Sequence, residues 1–160
     1  MRAAANRVAA IRAQAILAAA VVVTALAGCG HLVILHDPLS APEHNDLGVS
    51  YERQGEWRLA AREYRRALAL DPGYARARLN LGNVAAHDGR WAAAEKLYRR
   101  AVRDMPADPD AWNNLAVALL RRGNRLAEAE GLAARAVALS GGRDSLYRAT
   151  LMEVRAARLK

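Results

Sequence analysis

The sequence is poor in cysteine and lacks any apolar stretch long enough to cross a membrane. Cys29 is the only cysteine among 160 residues, so no disulfide can form within the chain. The uncharged stretch 13–27 is shorter than the roughly 20 residues that a transmembrane helix needs. These absences exclude a disulfide-stabilised fold and disfavour a spanning anchor.

Arrangements of side chains that support catalysis or metal binding are also missing. Ser40 and Ser140 lie at expected helix ends, and the four histidines form no pattern with acidic residues. His31 and His36 flank an apolar segment without further ligands at a suitable spacing, so a metal pair is disfavoured. The chain is therefore not expected to be an enzyme or to require a cofactor or a metal.

The charge is mainly basic, with 24 lysines and arginines against 16 acidic residues and a formal net charge of +8. Three arginines lie within 1–12, and the others are scattered among acidic residues, as on solvated helix faces. Because no nucleic-acid-binding motif accompanies the charge, a nucleic-acid partner is not expected.

The segment 1–28 has the layout of a secretory signal. Arg2, Arg7 and Arg12 precede the apolar stretch, and Leu26-Ala27-Gly28-Cys29 follows it. This tetrapeptide resembles the lipobox of bacterial lipoproteins, which implies cleavage before a lipid-modified Cys29. We expect residues 1–28 to be a signal peptide and residues 29–40 to be a tether. The lipid on Cys29 is expected to attach the protein to a membrane. The residue after Cys29 is Gly30 rather than aspartate. If the organism has two membranes, this favours a location on the outer membrane, with the protein facing the periplasm.

A repeated pattern of residue types follows the tether. Leu47, Gly48, Gly55, Ala60, Tyr64, Ala67 and Pro72 recur at one constant offset as Leu81, Gly82, Gly89, Ala94, Tyr98, Ala101 and Pro106. A looser third copy starts at Pro109 and fits its second half after one inserted residue. Small residues at fixed positions allow helices to approach closely, and the prolines and glycines end them.

This spacing resembles the tetratricopeptide repeat family, in which helix pairs with a period of about 34 residues stack into a solenoid. The resemblance implies an all-α fold with repeats at 41–74, 75–108 and 109–140, and a C-terminal capping helix within 141–160. Helices are expected over 42–54, 57–70, 74–88, 91–104, 109–122 and 126–139. Aromatic residues are expected to pack between helices, namely Trp57, Trp91, Trp112, Tyr51, Tyr64 and Tyr98.

Three local patterns predict how the helices begin and end. Ser40 and Glu43 form a capping-box pattern at the first helix, and Asp108 precedes Pro109 at the fifth. Asp144 can cap a last helix that reaches Arg158. Its expected apolar stripe covers the open end of the third repeat and consists of Leu146, Leu151, Val154 and Leu159.

The family resemblance also implies a concave groove lined by the first helix of each pair. By repeat position, the candidate groove residues are Asn45, Glu52, Arg53, Arg76, Asn80, Asn83, His87, Asp110, Asn113, Asn114 and Arg121. This set is rich in asparagine and slightly basic, which suits an extended or acidic peptide. Asn80 and Asn114 could instead bond a neighbouring main chain. Asn45 stands where chaperone-adaptor repeats carry lysine, which argues against a clamp for a chaperone-tail carboxylate.

Two functions remain open from the sequence. The first is a membrane-anchored scaffold or assembly factor in the bacterial cell envelope, acting with pilus, secretion or cell-wall machinery. The alternative is an accessory binding module for a partner enzyme such as an envelope peptidase. Self-association through an exposed solenoid end is a further structural possibility.

Overall fold

The computed structural model describes residues 37–159. Within this part of the chain the only regular elements are seven α-helices. They are α1 (Ala41–Arg53), α2 (Trp57–Leu70), α3 (Ala75–His87), α4 (Trp91–Asp104), α5 (Pro109–Arg121), α6 (Leu126–Leu139) and α7 (Ser145–Arg158). The six repeat helices begin and end within one residue of the predicted bounds. The predicted lipidation site Cys29 and most of the tether lie outside the described residues.

Each helix packs against the next one along the chain, and α1, α3 and α5 also contact one another in that order. This is the stacking of a helix-pair solenoid. The largest apolar cluster lies between the second and third pairs and includes Leu79, Tyr98, Val102 and Leu115. The all-α fold with three helix pairs and a final helix is therefore confirmed.

Close approach within the first two pairs depends on glycine. A Cβ atom built on Gly48 would lie 2.4 Å from Tyr64 Cε1, and one built on Gly82 would lie 2.4 Å from Tyr98 Cε1. Tyr64 is fully buried and Tyr98 is 3% exposed, so neither ring has space to move aside. The glycine and the tyrosine of each repeat therefore fit together as one packing unit.

The turn within the third pair accommodates the inserted residue through a left-handed backbone conformation. The turns in the first two pairs contain Gly55 and Gly89 at positive φ, whereas the third contains both Gly123 and Arg125 at positive φ. Arg125, with φ of 49°, then directs its side chain to Glu95 on α4. The insertion thus links the third pair to the second.

The capping box predicted at Ser40 and Glu43 is present at the start of α1. The Ser40 amide and hydroxyl donate to Glu43 Oε2 at 2.8 Å and 2.7 Å. These bonds, the amide bond first, lower the pKa of the Glu43 carboxyl. Asp108 and Asp144 cap α5 and α7 through the amides of Asp110 and Leu146.

The last helix covers the third pair, but only Val154 of the predicted stripe belongs to its buried face. Leu146 is 61% exposed and Leu159 is 90% exposed, so that part of the prediction was wrong. The buried face is formed by Tyr147, Thr150 and Val154. Their spacing of three and four positions follows the helical period, and the Tyr147 hydroxyl reaches Asp110 Oδ1 on α5 at 2.7 Å.

A buried charged group joins α1 to α2 and was not foreseen. Glu63 is fully buried, and its Oε2 lies 2.9 Å from Nδ1 of His44, which is 1% exposed. Arg62 and Arg66 donate to the same carboxylate at 3.0 Å and 3.3 Å. On the other side of the ring, His44 Nε2 lies 3.2 Å from Asp37 Oδ2, which places the end of the tether against the first repeat.

Candidate functional site

A hollow of about 300 Å³ opens between the first helices of the three pairs and is the candidate binding site. We call it the groove hollow. Its lining residues are Glu52 on α1, Asn83 and Ala86 on α3, Trp91 and Tyr98 on α4, and Asn114 and Val117 on α5. The lining combines an apolar wall with a carboxylate and two amides. A surface of this kind can hold an apolar side chain and bond the backbone beside it.

Side-chain amides connect the three first helices across this surface. Asn80 Nδ2 donates to Asn45 Oδ1 at 2.9 Å, which joins α3 to α1. Asn114 Nδ2 donates to Asn83 Oδ1 at 3.0 Å, which joins α5 to α3. Asn80 and Asn114 therefore bond neighbouring side chains, rather than the main chain that sequence reasoning considered. Within the described residues, Asn83 Nδ2 has no hydrogen-bond partner and remains free to donate to a ligand.

Two buried tyrosines fix the positions of Glu52 and Asn83 in the groove hollow through hydrogen bonds. The Tyr64 hydroxyl donates to Glu52 Oε2 at 2.7 Å, and the Tyr98 hydroxyl donates to Asn83 Oδ1 at 3.0 Å. Burial raises the pKa of both tyrosines, and the Glu52 carboxylate raises it further. Both phenols therefore stay protonated and keep donating at any physiological pH.

The basic character expected for the groove is largely neutralised by ion pairs. Arg76 lies 2.7 Å from Asp108, and Arg121 lies 3.5 Å from Glu153 on α7. His87 stacks on the Trp57 ring at a centroid distance of 3.8 Å. Among the described residues, Arg53 alone of the predicted groove arginines forms no ion pair. The prediction of a slightly basic groove therefore overestimated the charge available to a ligand.

The structure brings together only part of the predicted set. Glu52, Asn83 and Asn114 line the groove hollow, and Arg53, His87 and Arg121 end their helices nearby. Arg76 and Asp110 lie at the opposite helix ends, beside the turn 104–109. Asn45 and Asn113 are each 4% exposed, so their side chains offer a ligand little surface.

Sequence reasoning missed four lining residues. Ala86 and Val117 occupy repeat positions that line the groove in the family, but the predicted set included polar residues only. Trp91 and Tyr98 were expected to pack between helices, which they do, and they also form the wall of the hollow. The repeat position was thus a usable signal for Ala86 and Val117.

Residues 37–159 contain no group of three or more histidine, cysteine, aspartate or glutamate side chains placed to hold a metal ion. None of their helices is both long and apolar enough to span a bilayer.

A solenoid of helix pairs whose first helices line a groove defines a class of protein-interaction scaffolds, in which catalysis is not the general role. A sequence model of the tetratricopeptide repeat matches residues 45–109 and 89–144, which together cover more than half of the chain. The chain belongs to the tetratricopeptide repeat family.

Solved structures of this family have the same fold at low sequence identity. The first repeat domain of Spaghetti (RPAP3), bound to the HSP90 peptide SRMEEVD, is 20% identical with a TM-score of 0.70, over 75% of this chain and 94% of that one. The Sgt2 repeat domain from Aspergillus fumigatus is 17% identical with a TM-score of 0.67, over 72% and 77%. The first repeat domain of human RPAP3 is 20% identical with a TM-score of 0.69, over 74% and 92%. No curated protein matches the chain by sequence.

Proposed function

We propose that this protein is a lipid-anchored scaffold of the bacterial cell envelope that holds a segment of a partner protein in its groove. The partner belongs to an assembly such as a pilus, a secretion system or the cell-wall machinery. The observation that carries the proposal is the combination of a helix-pair groove with Leu26-Ala27-Gly28-Cys29, which a short tether separates from the first repeat. In a two-membrane bacterium, the protein faces the periplasm from the outer membrane.

The chemistry of the groove hollow favours an extended segment with an apolar side chain. Asn83 Nδ2 can donate to a backbone carbonyl, and Glu52 can accept from a backbone amide. Val117, Ala86 and Trp91 supply apolar contact for one side chain of the segment. The solved structure of the Spaghetti domain with an HSP90 peptide supports a peptide partner for this fold.

The same geometry disfavours a terminal carboxylate as the main feature of the ligand. Asn45 is buried against Asn80, and the Asp110 carboxylate accepts from Tyr147. Arg76 and Arg121 already have acidic partners. We therefore propose an internal segment of the partner, bound through its backbone and one apolar side chain.

The short tether keeps the repeats near the membrane. From Cys29 to Ser40 the chain could extend at most about 40 Å, and Leu39 is already buried against the first repeat. Acyl chains contribute about 0.8 kcal/mol per buried methylene, so several chains hold a protein on a membrane with little exchange. The partner segment must accordingly come close to the lipid surface.

Fatty-acid labelling tests the anchor. In cells grown with an alkyne-bearing fatty acid, the wild-type chain is expected to become labelled and to begin at Cys29 by mass spectrometry. Cys29→Ala should abolish the label, because no thiol remains to be acylated. Ser140→Ala is the matched control and should be labelled like the wild type. An unlabelled wild-type chain, or equal labelling of Cys29→Ala, would refute lipid anchoring.

A further inference from the structure

A second hollow of about 290 Å³ lies between the first and second helix pairs and shares no lining residue with the groove hollow. We call it the arginine hollow, because Arg58, Arg65 and Arg90 line it. Its apolar side is formed by Trp57, by Ala61 and by Val84, which is 2% exposed. The hollow therefore combines an apolar base with positively charged edges.

Two of these arginines have no acidic partner. Arg90 donates to Asp88 Oδ2 at 2.8 Å, whereas Arg58 and Arg65 form no ion pair within the described residues. Three arginines and one aspartate leave the hollow with an excess of two positive charges. A guanidinium group binds a carboxylate through two parallel hydrogen bonds, so such an excess favours a carboxylate ligand.

The position equivalent to the arginine hollow, one repeat later in the chain, lies between the second and third helix pairs. The residues one repeat on from Ala61 and Arg65 are Glu95 and Arg99. Glu95 is 5% exposed; it accepts from Arg99 Nε at 2.8 Å and from Arg122 and Arg125. Between the second and third pairs, a carboxylate of the chain itself thus occupies the place that Ala61 leaves empty between the first and second.

The environment around Glu95 stabilises a carboxylate despite its burial. Burial raises the pKa of Glu95, but the hydrogen bonds from Arg99 and Arg122 outweigh it, and the net pKa is lowered. The arginine hollow has Arg65 at the position of Arg99 and adds Arg58 and Arg90. It differs at the position of Arg122, where Asp88 stands and accepts from Arg90. An incoming glutamate would therefore bind ionised, with its methylene groups against Ala61 and Val84.

We propose that the arginine hollow is a second binding site, which takes a glutamate side chain of a partner protein between the first and second repeats. The internal comparison with Glu95 and the two unpaired arginines carry this inference. The site goes beyond the proposed groove function and does not depend on it. The occupant is not supplied by residues 1–36 of this chain, which contain no acidic residue.

A labelled peptide of five glutamates, followed by fluorescence anisotropy, tests the site with the full chain in detergent. The double variant Arg58→Gln/Arg65→Gln should weaken binding about tenfold. The control Arg103→Gln/Arg135→Gln removes the same charge from exposed arginines that form no ion pair within the described residues, and it should change affinity less than about twofold. Equal loss in both double variants would show diffuse attraction and overturn the proposal, as would absence of binding to the wild type.

Two substitutions of Ala61 provide a readout that does not need a partner. Ala61→Glu should place a carboxylate among the arginines and should melt several degrees above Ala61→Gln, which has nearly the same shape without the charge. Both variants should block the peptide, because both fill the hollow. Equal melting temperatures, or a lower one for Ala61→Glu, would contradict a site that selects a carboxylate.

A nucleic acid or a second copy of the chain in the arginine hollow would give results that differ from those of a protein partner. Binding of a DNA duplex that is tighter than peptide binding and depends on Arg58 and Arg65 would overturn a protein partner in favour of phosphates. A mass by light scattering that doubles for the wild type but not for Arg58→Gln/Arg65→Gln would assign the hollow to a second copy of the chain. A monomeric wild type with peptide binding as described supports the proposal.

Discussion

Replacing Glu63 with alanine is expected to lower the free energy of unfolding by about 1–3 kcal/mol. The variant removes the carboxylate that lies 2.9 Å from Nδ1 of His44, whose side chain is 1% exposed, and leaves Asp37 as the acidic neighbour on the other side of the ring. Arg62 and Arg66 are about half exposed, so they can turn to water, whereas His44 cannot. The cost therefore comes mainly from the buried Nδ1 atom of His44, which loses its partner. Chemical denaturation followed by circular dichroism measures it.

The double variant His44→Leu/Glu63→Leu separates this cause from a general loss of packing. Removing both partners leaves no unpaired polar group, so the double variant should recover a large part of the lost stability. Glu130→Ala, which removes ion pairs with Arg155 and Arg158 at the surface, is the control and should change stability little. A double variant less stable than Glu63→Ala would contradict the explanation.

Gly82→Ala is expected to destabilise the protein by about 1–3 kcal/mol. The new methyl group would meet Tyr98 Cε1 at 2.4 Å, and the ring is held by its bond to Asn83 and by the cluster around it. Either the tyrosine or α3 must shift. Because Tyr98 and Asn83 line the groove hollow, the substitution should also change the shape of the binding surface.

Gly131→Ala is the matched control for this prediction, since it makes the same chemical change within a helix. A Cβ on Gly131 meets nothing within 4 Å, and alanine favours the helix by about 0.8–1.0 kcal/mol over glycine. The two substitutions should therefore change the midpoint of denaturation in opposite directions. Equal midpoints would show that glycine at position 82 is not required by the tyrosine.

The repeat spacing was enough to predict the helices because the same contacts recur once in each repeat. Gly82 and Tyr98 have the same separation along the chain as Gly48 and Tyr64, and each pair meets in the structure. The Glu63 and Glu95 networks could not be predicted in this way. Charged residues on a helix usually face solvent, and only the packing of neighbouring helices shows that these two are buried.

The candidate site was predicted in outline and corrected in detail. Repeat position located Glu52, Asn83 and Asn114 on the groove hollow, but it could not show that Arg76 and Arg121 pair with acids from other helices. For α7, the apolar residue types predicted a stripe of which only Val154 belongs to the buried face. Which face of this helix of 14 residues is buried depends on the surface that it covers. In the structure, that face consists of Tyr147, Thr150 and Val154.

Photocrosslinking in living cells tests most directly whether the groove hollow holds a partner protein. The photoreactive residue is introduced at Val117, which lines the hollow and makes no side-chain hydrogen bond, so the amide network stays intact. Lys96, exposed on α4 and outside the lining, is the control position. We predict one discrete crosslinked envelope protein from position 117 and none from position 96. Equal capture at both positions, or no capture from position 117, would contradict the groove as the binding surface.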